Sequence, residues 1–292
     1  MQAKYDEGLV VKRGNSLYQK YFKSTAAKTR RTATTWWDDA GLMSTATSRL
    51  KTLMGEATFD TPKPLELIDR MLRMITYDDP NAIVMDFFAG SSTTAHAVMQ
   101  YNAETDGNRK FILIQLPEPC AEKSEALENG WHDICEIGIA RIKRASEEIK
   151  RNTSANVDYG FRVLKLDETN MRDVYYSADD YNQGMLPMLE SNIKEDRTDL
   201  DLLFGCLLEW GLPLSLPYSS ETIDGCTVHT YNDGDLIACF DENISKSVVE
   251  TIAKRQPLRA VFRDSSFPNS PAKINVGEIF KLLAPDTRVK VI

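Results

Sequence analysis

Residues 86–95 read Asp-Phe-Phe-Ala-Gly-Ser-Ser-Thr-Thr-Ala, and these residue types at this spacing are those of a ligand-holding turn. The apolar run Ala82-Ile-Val-Met85 leads straight into Asp86, so the acid closes a short buried strand. The Gly/Ser turn then opens a helix from Ala95 to about Tyr101. Open α/β sheets direct ligands to the carboxyl ends of their strands, and a helix that starts there offers unpaired backbone N–H groups. One glycine and no Gly-Lys-Ser/Thr argue against a pyrophosphate grip. A small turn flanked by Asp86 and Phe88 suits a ligand that joins an amino acid to an adenosine, because a carboxylate can bind an ammonium. An ordinary βα turn has the same outline, and the turn alone leaves both readings open.

Holding such a turn in place requires a βαβ unit. Phe111-Ile-Leu-Ile-Gln115 is a second buried strand, closed by Leu116-Pro117. Strand, turn, helix and strand in so short a segment predict two parallel strands joined by a crossover helix. Upstream, Leu65, Ile68, Leu72 and Ile75 recur at helical spacing behind Pro64. Downstream, Asp133 to Lys150 is a helix with Ile134, Ile137, Ile142, Ala145 and Ile149 on one side. Its charged residues Arg141, Lys143, Arg144, Glu147 and Glu148 are expected largely outside. Residues 151–156 read as a linker. Beyond them come a strand from Tyr159 to Leu166, an acidic loop region and an apolar helix from Leu200 to Trp210. Strands over 226–231 and 236–240 flank Asn232-Asp-Gly-Asp, a hairpin signal. A helix (245–255), a strand (258–262) and a last helix (276–283) finish the chain. The expected fold class is α/β, organised as 1–55, 56–152 and 153–292, the last a smaller α/β domain.

With 42% apolar and 27% charged residues in 292, the chain can bury a core, and wholesale disorder is excluded. No stretch approaches the roughly 20 apolar residues of a membrane span. The first residues lack the apolar centre of a signal peptide, which points to the cytoplasm. Cys120, Cys135, Cys206, Cys226 and Cys239 form no CxxC pair, so neither a disulfide framework nor a recognisable zinc site is expected. The net charge of −8 argues, taken alone, against nucleic acid. Its distribution reverses that argument. Residues 1–55 hold ten Lys or Arg against four acids, whereas residues 166–242 hold 17 acids against three bases. The basic arm, with Lys23, Lys28, Arg30 and Arg31 at its centre, interleaves Tyr5, Tyr18, Tyr21 and Phe22. Cations neutralise phosphates and rings stack on bases. Trp36 and Trp37 read as core anchors ahead of a DNA-facing pair, His96 as a packed or exposed helix residue and not a catalytic one, and Asp264-Ser-Ser as a structural turn without a base.

The segment Asp86 to Ala97 resembles the S-adenosylmethionine motif, Asp-x-Phe-x-Gly-Ser-Gly-Thr-Thr, of amino-methylating DNA methyltransferases. Phe59-Asp-Thr-Pro-Lys-Pro-Leu-Glu-Leu-Ile68 resembles that family's Lys-Pro methionine-pocket motif, in the order of its β-group permutation. Residues 108–118, 139–145, 263–267 with 273–275, and the final Thr-Arg-Val-Lys-Val-Ile292 resemble the modification subunit of type III restriction-modification systems. The resemblance implies part of a Rossmann-like methyltransferase sheet and adenine-N6 methylation of double-stranded DNA. It implies a cofactor pocket lined by Asp86, Phe88, Gly90, Ser91, Thr93 and Thr94, with Lys63 and Pro64 at the methionine end. A restriction (helicase-nuclease) subunit would be the protein partner.

Two positions depart from the motif. Its second glycine is Ser92, where a Cβ costs most if φ is positive. The acid expected to hold the ribose hydroxyls is Gln115, which can bond a hydroxyl without charge assistance; Glu118 is nearby. The family's catalytic Asp/Asn-Pro-Pro-Tyr/Phe, which positions the target amine, has no counterpart: Asp78-Asp-Pro-Asn81 and Asn269-Ser-Pro-Ala272 each carry one proline. The resemblance therefore places the chain in the C-terminal portion of such a subunit, with no catalytic or metal-ligating residue of its own. An incomplete sheet is expected, covered by self-association or an upstream methyltransferase segment. The alternatives are a non-catalytic DNA- or protein-binding remnant and a nucleotide-binding enzyme of another kind.

Overall fold

The structure is a computed structural model that describes residues 2–20, 34–172 and 193–292. Tyr21, Phe22, Lys23, Lys28, Arg30 and Arg31 of the basic arm, and residues 173–192 of the acidic loop region, lie outside the described residues. The chain divides into two compact units, residues 1–161 and 162–292. No helix among the described residues is long and apolar enough to cross a membrane.

The first unit opens with helix α1 (Gln2–Asp6) and an antiparallel hairpin of β1 (Val10–Arg13) and β2 (Ser16–Gln19). The hairpin is not among the sequence-based expectations, because its strands are polar and mostly exposed. Then follow α2 (Met43–Met54), α3 (Leu65–Ile75), β3 (Ile83–Asp86), α4 (Thr93–Thr105), β4 (Lys110–Leu113), the single turn α5 (Glu125–Glu128) and α6 (Ile134–Asn152). Strands β3 and β4 pair in parallel, Ile83 opposite Lys110 through Asp86 opposite Leu113, as the βαβ pattern predicts. Helix α4 lies between two others. Leu65 and Leu72 of α3 pack on Ala97, Val98 and Tyr101, and Ile142, Ala145 and Ile149 of α6 pack on Ala95 and Met99. Val84, Phe111 and Leu113 join these clusters from the sheet. Helix α6 begins where the Asp133 carboxylate accepts the Glu136 N–H at 2.9 Å.

The second unit comprises α7 (Asp199–Glu209), β5 (Tyr218–Ile223), β6 (Cys226–Tyr231), β7 (Leu236–Cys239), α8 (Lys246–Lys254), β8 (Arg259–Phe262), α9 (Ser270–Leu283) and β9 (Arg288–Val291). Their sheet runs β5-β6-β7-β8-β9, antiparallel up to β7 and parallel from there to β9. Side chains alternate across it. Ile237, Cys239, Ala260 and Phe262 pack on Val248, Ile252 and Phe280 of α8 and α9. Leu236, Ala238 and Val261 pack on Leu203, Cys206 and Leu207 of α7. The hairpin between β6 and β7 turns at Asn232, Asp233 and Gly234, all with positive φ.

Three expectations change. Tyr159 to Leu166 forms no strand; Tyr159 and Phe161 instead pack on the α4–α6 cluster. The last helix starts at Ser270, six residues early, because the Asn269 side chain caps it by accepting the Ala272 N–H. Trp36 is no core anchor: it is 77% exposed, and Trp37 is half-buried with its indole N–H on the Thr34 carbonyl at 2.5 Å.

Candidate functional site

The turn from Asp86 to Thr94 joins β3 to α4 at the carboxyl end of the parallel pair. Backbone bonds hold it against β4: Ile114 N–H donates to Asp86 O at 2.9 Å and Ala89 N–H to Ile114 O at 3.2 Å. Gly90 and Ser92 both take left-handed conformations, with φ of 51° and 58°. Positive φ is therefore present where the serine replaces the motif's glycine, at a strain of about 1 kcal/mol. The tight Ser92 N–H to Ala89 O bond at 2.7 Å closes the turn.

Seven of the nine sequence-derived site residues gather here. Asp86 accepts the Phe88 N–H at 3.2 Å with one carboxylate oxygen and the Thr94 hydroxyl at 2.6 Å with the other. The Gln115 amide oxygen accepts the Gly90 N–H at 2.8 Å, and its amide nitrogen donates to Leu116 O. Gln115 thus braces the turn from the end of β4. The Phe88 ring stands 79% exposed beside it. Ser91, Thr93 and Thr94 are buried, with their hydroxyls turned into the protein. Lys63 is exposed and Pro64 buried at the start of α3. The Phe59 ring upstream of them lies 3.6 Å from where a Gly90 Cβ would sit.

Sequence reasoning missed Arg141. Expected outside α6, it is only 4% exposed, and its Nη1 donates to Ser91 O (3.2 Å), Ser91 Oγ (2.8 Å) and Thr93 Oγ1 (2.7 Å). Burial pushes its guanidinium down to about 10. The signal was in the helical spacing: Ile137, Arg141 and Ala145 are four apart and share one stripe. Beside Arg141, burial first, then Arg141 and Arg49, hold the His96 imidazole down at about 3, so it is neutral at physiological pH. Of the two placements the sequence left open for His96, packed or exposed, the structure shows the packed one.

The described part of the basic arm presents Lys4, Lys12 and Arg13 on exposed surface around the first hairpin. In the second unit, Cys226, Cys239 and Asp241 bring their ligand atoms within 4.8 Å of one another, which no CxxC spacing announces. Burial pushes the Cys239 thiol up to about 12, and Asp241 already accepts the Thr227 N–H, so these groups are engaged within the hairpin. Asp264 to Ser266 forms a 3-10 turn with Asp264 paired to Lys273, as a structural turn should.

Residues 3–145 match the DNA methylase family. The chain is 37% identical over 251 residues to the Mod subunit of the type III restriction-modification enzyme EcoP15I of Escherichia coli, covering 82% of this chain and 36% of that protein. It is 38% identical over 130 residues to the Mod subunit of the type III enzyme StyLTI of Salmonella typhimurium, covering 44% and 20%. It is also 32% identical over 139 residues to the type II methyltransferase M.KpnI of Klebsiella pneumoniae, covering 48% and 33%. The chain spans from a fifth to just over a third of the length of these relatives.

Proposed function

We infer, from the match of residues 3–145 to the DNA methylase family, that the chain provides the S-adenosylmethionine-binding half of an adenine-N6 DNA methyltransferase of the type III modification kind. The observation that carries this is the left-handed turn between β3 and α4, which brings an acid, an exposed aromatic ring and a helix start to one strand end. These residues fit an adenosyl amino acid. The first N–H groups of α4 have no intrahelical partner, Gly90 lets the backbone approach a ligand closely, and the exposed Phe88 ring offers a face to an adenine. When bound, the cofactor supplies an activated methyl group. On this reading Lys63 and Pro64 hold its methionine end, and Gln115 acts by bracing Gly90 as well as by facing the ribose.

Transfer to an adenine amine requires an Asp/Asn-Pro-Pro-Tyr/Phe segment, absent from these 292 residues, so it comes from an upstream segment or a second polypeptide. Lys4, Lys12 and Arg13 meet DNA phosphates, and the type III relatives point to a restriction subunit as partner. A methylation assay with this chain alone is expected to be negative, while calorimetry with S-adenosylmethionine gives a saturable heat. No heat at millimolar cofactor, with the protein folded, would remove this reading. It would leave a non-catalytic DNA- or protein-binding remnant, which one observation favours: the Ser91, Thr93 and Thr94 hydroxyls and the Gln115 amide each already make an internal bond.

A further inference from the structure

We propose that Arg141 is a positioning residue of the cofactor turn, reaching from α6 to lock Ser91 and Thr93 in the conformation that presents the start of α4 to a ligand. The proposal rests on the reading of that turn as the cofactor site. The two hydrogens of its Nη1 reach three acceptors, the longest contact (Ser91 O) sharing a hydrogen, and all three belong to the end of the turn and the first residue of α4. The approach of α6 needs Gly138: a Cβ there would lie 2.5 Å from Ser92 Oγ and 3.4 Å from Gly90 O. One turn of α6 thus sets a bare backbone against the left-handed Ser92, and the next sends a cation beneath its neighbours.

Stability alone gives a poor reason for a buried arginine here. Among the described residues its Nε has no hydrogen-bond partner and no carboxylate pairs with it, and a buried charge without a counter-ion is unfavourable. It also sits at the N-terminal end of α4, where the helix dipole disfavours cations. Arg109, equally buried, makes the contrast. It lies at the other end of the same helix, donating to Thr76 O at 2.7 Å and Thr105 Oγ1 at 3.2 Å and stacking over the Tyr101 ring at 4.2 Å. There the dipole favours it. Arg109 serves the fold, and Arg141 serves the shape of the turn.

The test compares the full chain with Arg141→Gln and Arg141→Lys, reading backbone amide exchange by mass spectrometry and S-adenosylmethionine affinity by calorimetry. In Arg141→Gln, exchange across residues 88–94 is expected to accelerate at least tenfold while β8 and β9 stay unchanged, and the cofactor Kd to rise at least tenfold. Arg141→Lys carries three donors on one nitrogen with a shorter reach, and should recover part of both effects. Unchanged exchange at the turn in Arg141→Gln would overturn the proposal. So would acceleration spread evenly along α4 and α6, or a lysine variant no better than glutamine. If the unaltered chain binds no cofactor, the function proposed above falls, and the exchange measurement alone decides the role of Arg141. Should Arg141→Gln not fold, Ser91→Ala and Thr93→Val remove acceptors instead of the donor and are expected to loosen the same residues; wild-type exchange in both would refute the clamp.

Discussion

Both units of this chain place short apolar strands in parallel, yet they bury them differently. In residues 162–292 the strands β7 and β8 lie inside a five-stranded sheet, with α8 and α9 on one face and α7 on the other. In residues 1–161 the parallel pair β3–β4 stands as a two-stranded sheet among the described residues, and α3, α4 and α6 all pack on one face. The opposite face shows Ile83, 65% exposed, with Met85 and Ile112, and the same alternation continues past the strand ends in Phe87, Ile114 and Leu116. Parallel strands are ordinarily covered on both faces. The second unit meets that rule on both faces; in the first, one face of the pair is uncovered among the described residues.

Replacements in the two sheets should therefore differ in size and in kind. The largest effect belongs to the covered sheet. Phe262 is fully buried and packs edge-on to Phe267 and Phe280, with ring centroids 5.7 and 6.0 Å away. Phe262→Ala should cost about 3–5 kcal/mol in urea unfolding of the full chain, and a loss below about 1 kcal/mol would contradict a closed core. Next comes acid sensitivity in the first unit. His96 has a folded pKa of about 3 against 6.5 unfolded, so the unfolded chain binds the extra proton. Stability is intact above pH 6.5 and falls as pH drops towards 3, by on the order of 2 kcal/mol at pH 5. In His96→Asn this acid slope should flatten between pH 6.5 and 5; an unchanged slope would place the titration elsewhere.

The open face should respond least in stability and most in association. Met85→Lys should change the unfolding free energy by less than about 0.5 kcal/mol and reduce self-association in light scattering. A penalty of core size would mean that the face is closed in solution. Smallest of all is the surface pair of α8 between exposed Lys246 and half-buried Glu250. Replacing either by Ala should shift stability by only a few tenths of a kcal/mol.

What the sequence disclosed follows from how local each feature is. The βαβ unit was legible because two apolar runs and a Gly/Ser turn lie within one short segment, and so was the β6–β7 hairpin at Asn232 to Gly234. The strand ends placed the turn at Asp86 and Phe88, and the resemblance to the methyltransferase motif added Gly90, Ser91, Thr93, Thr94 and Gln115 to it. Arg141 was legible only as a member of the Ile137–Ala145 stripe: its acceptors are distant in sequence, and without them a charged residue there reads as solvated. Nor was Tyr159, whose alternating neighbours suggest a strand while its ring is taken up by α4 and α6. The Trp36–Trp37 pair misled for a related reason: ring size favours burial, but nothing nearby in sequence says whether a pocket exists.

The left-handed serine at position 92 has a consequence for the thermodynamics of ligand association. A glycine there would leave the turn free to sample many shapes, and a ligand would have to select one and freeze it. A side chain narrows the range while the protein folds, and α6 holds the result. The ordering entropy is thus charged to folding and not to ligand capture, and Ser92→Gly should make association more enthalpic and less favourable in entropy.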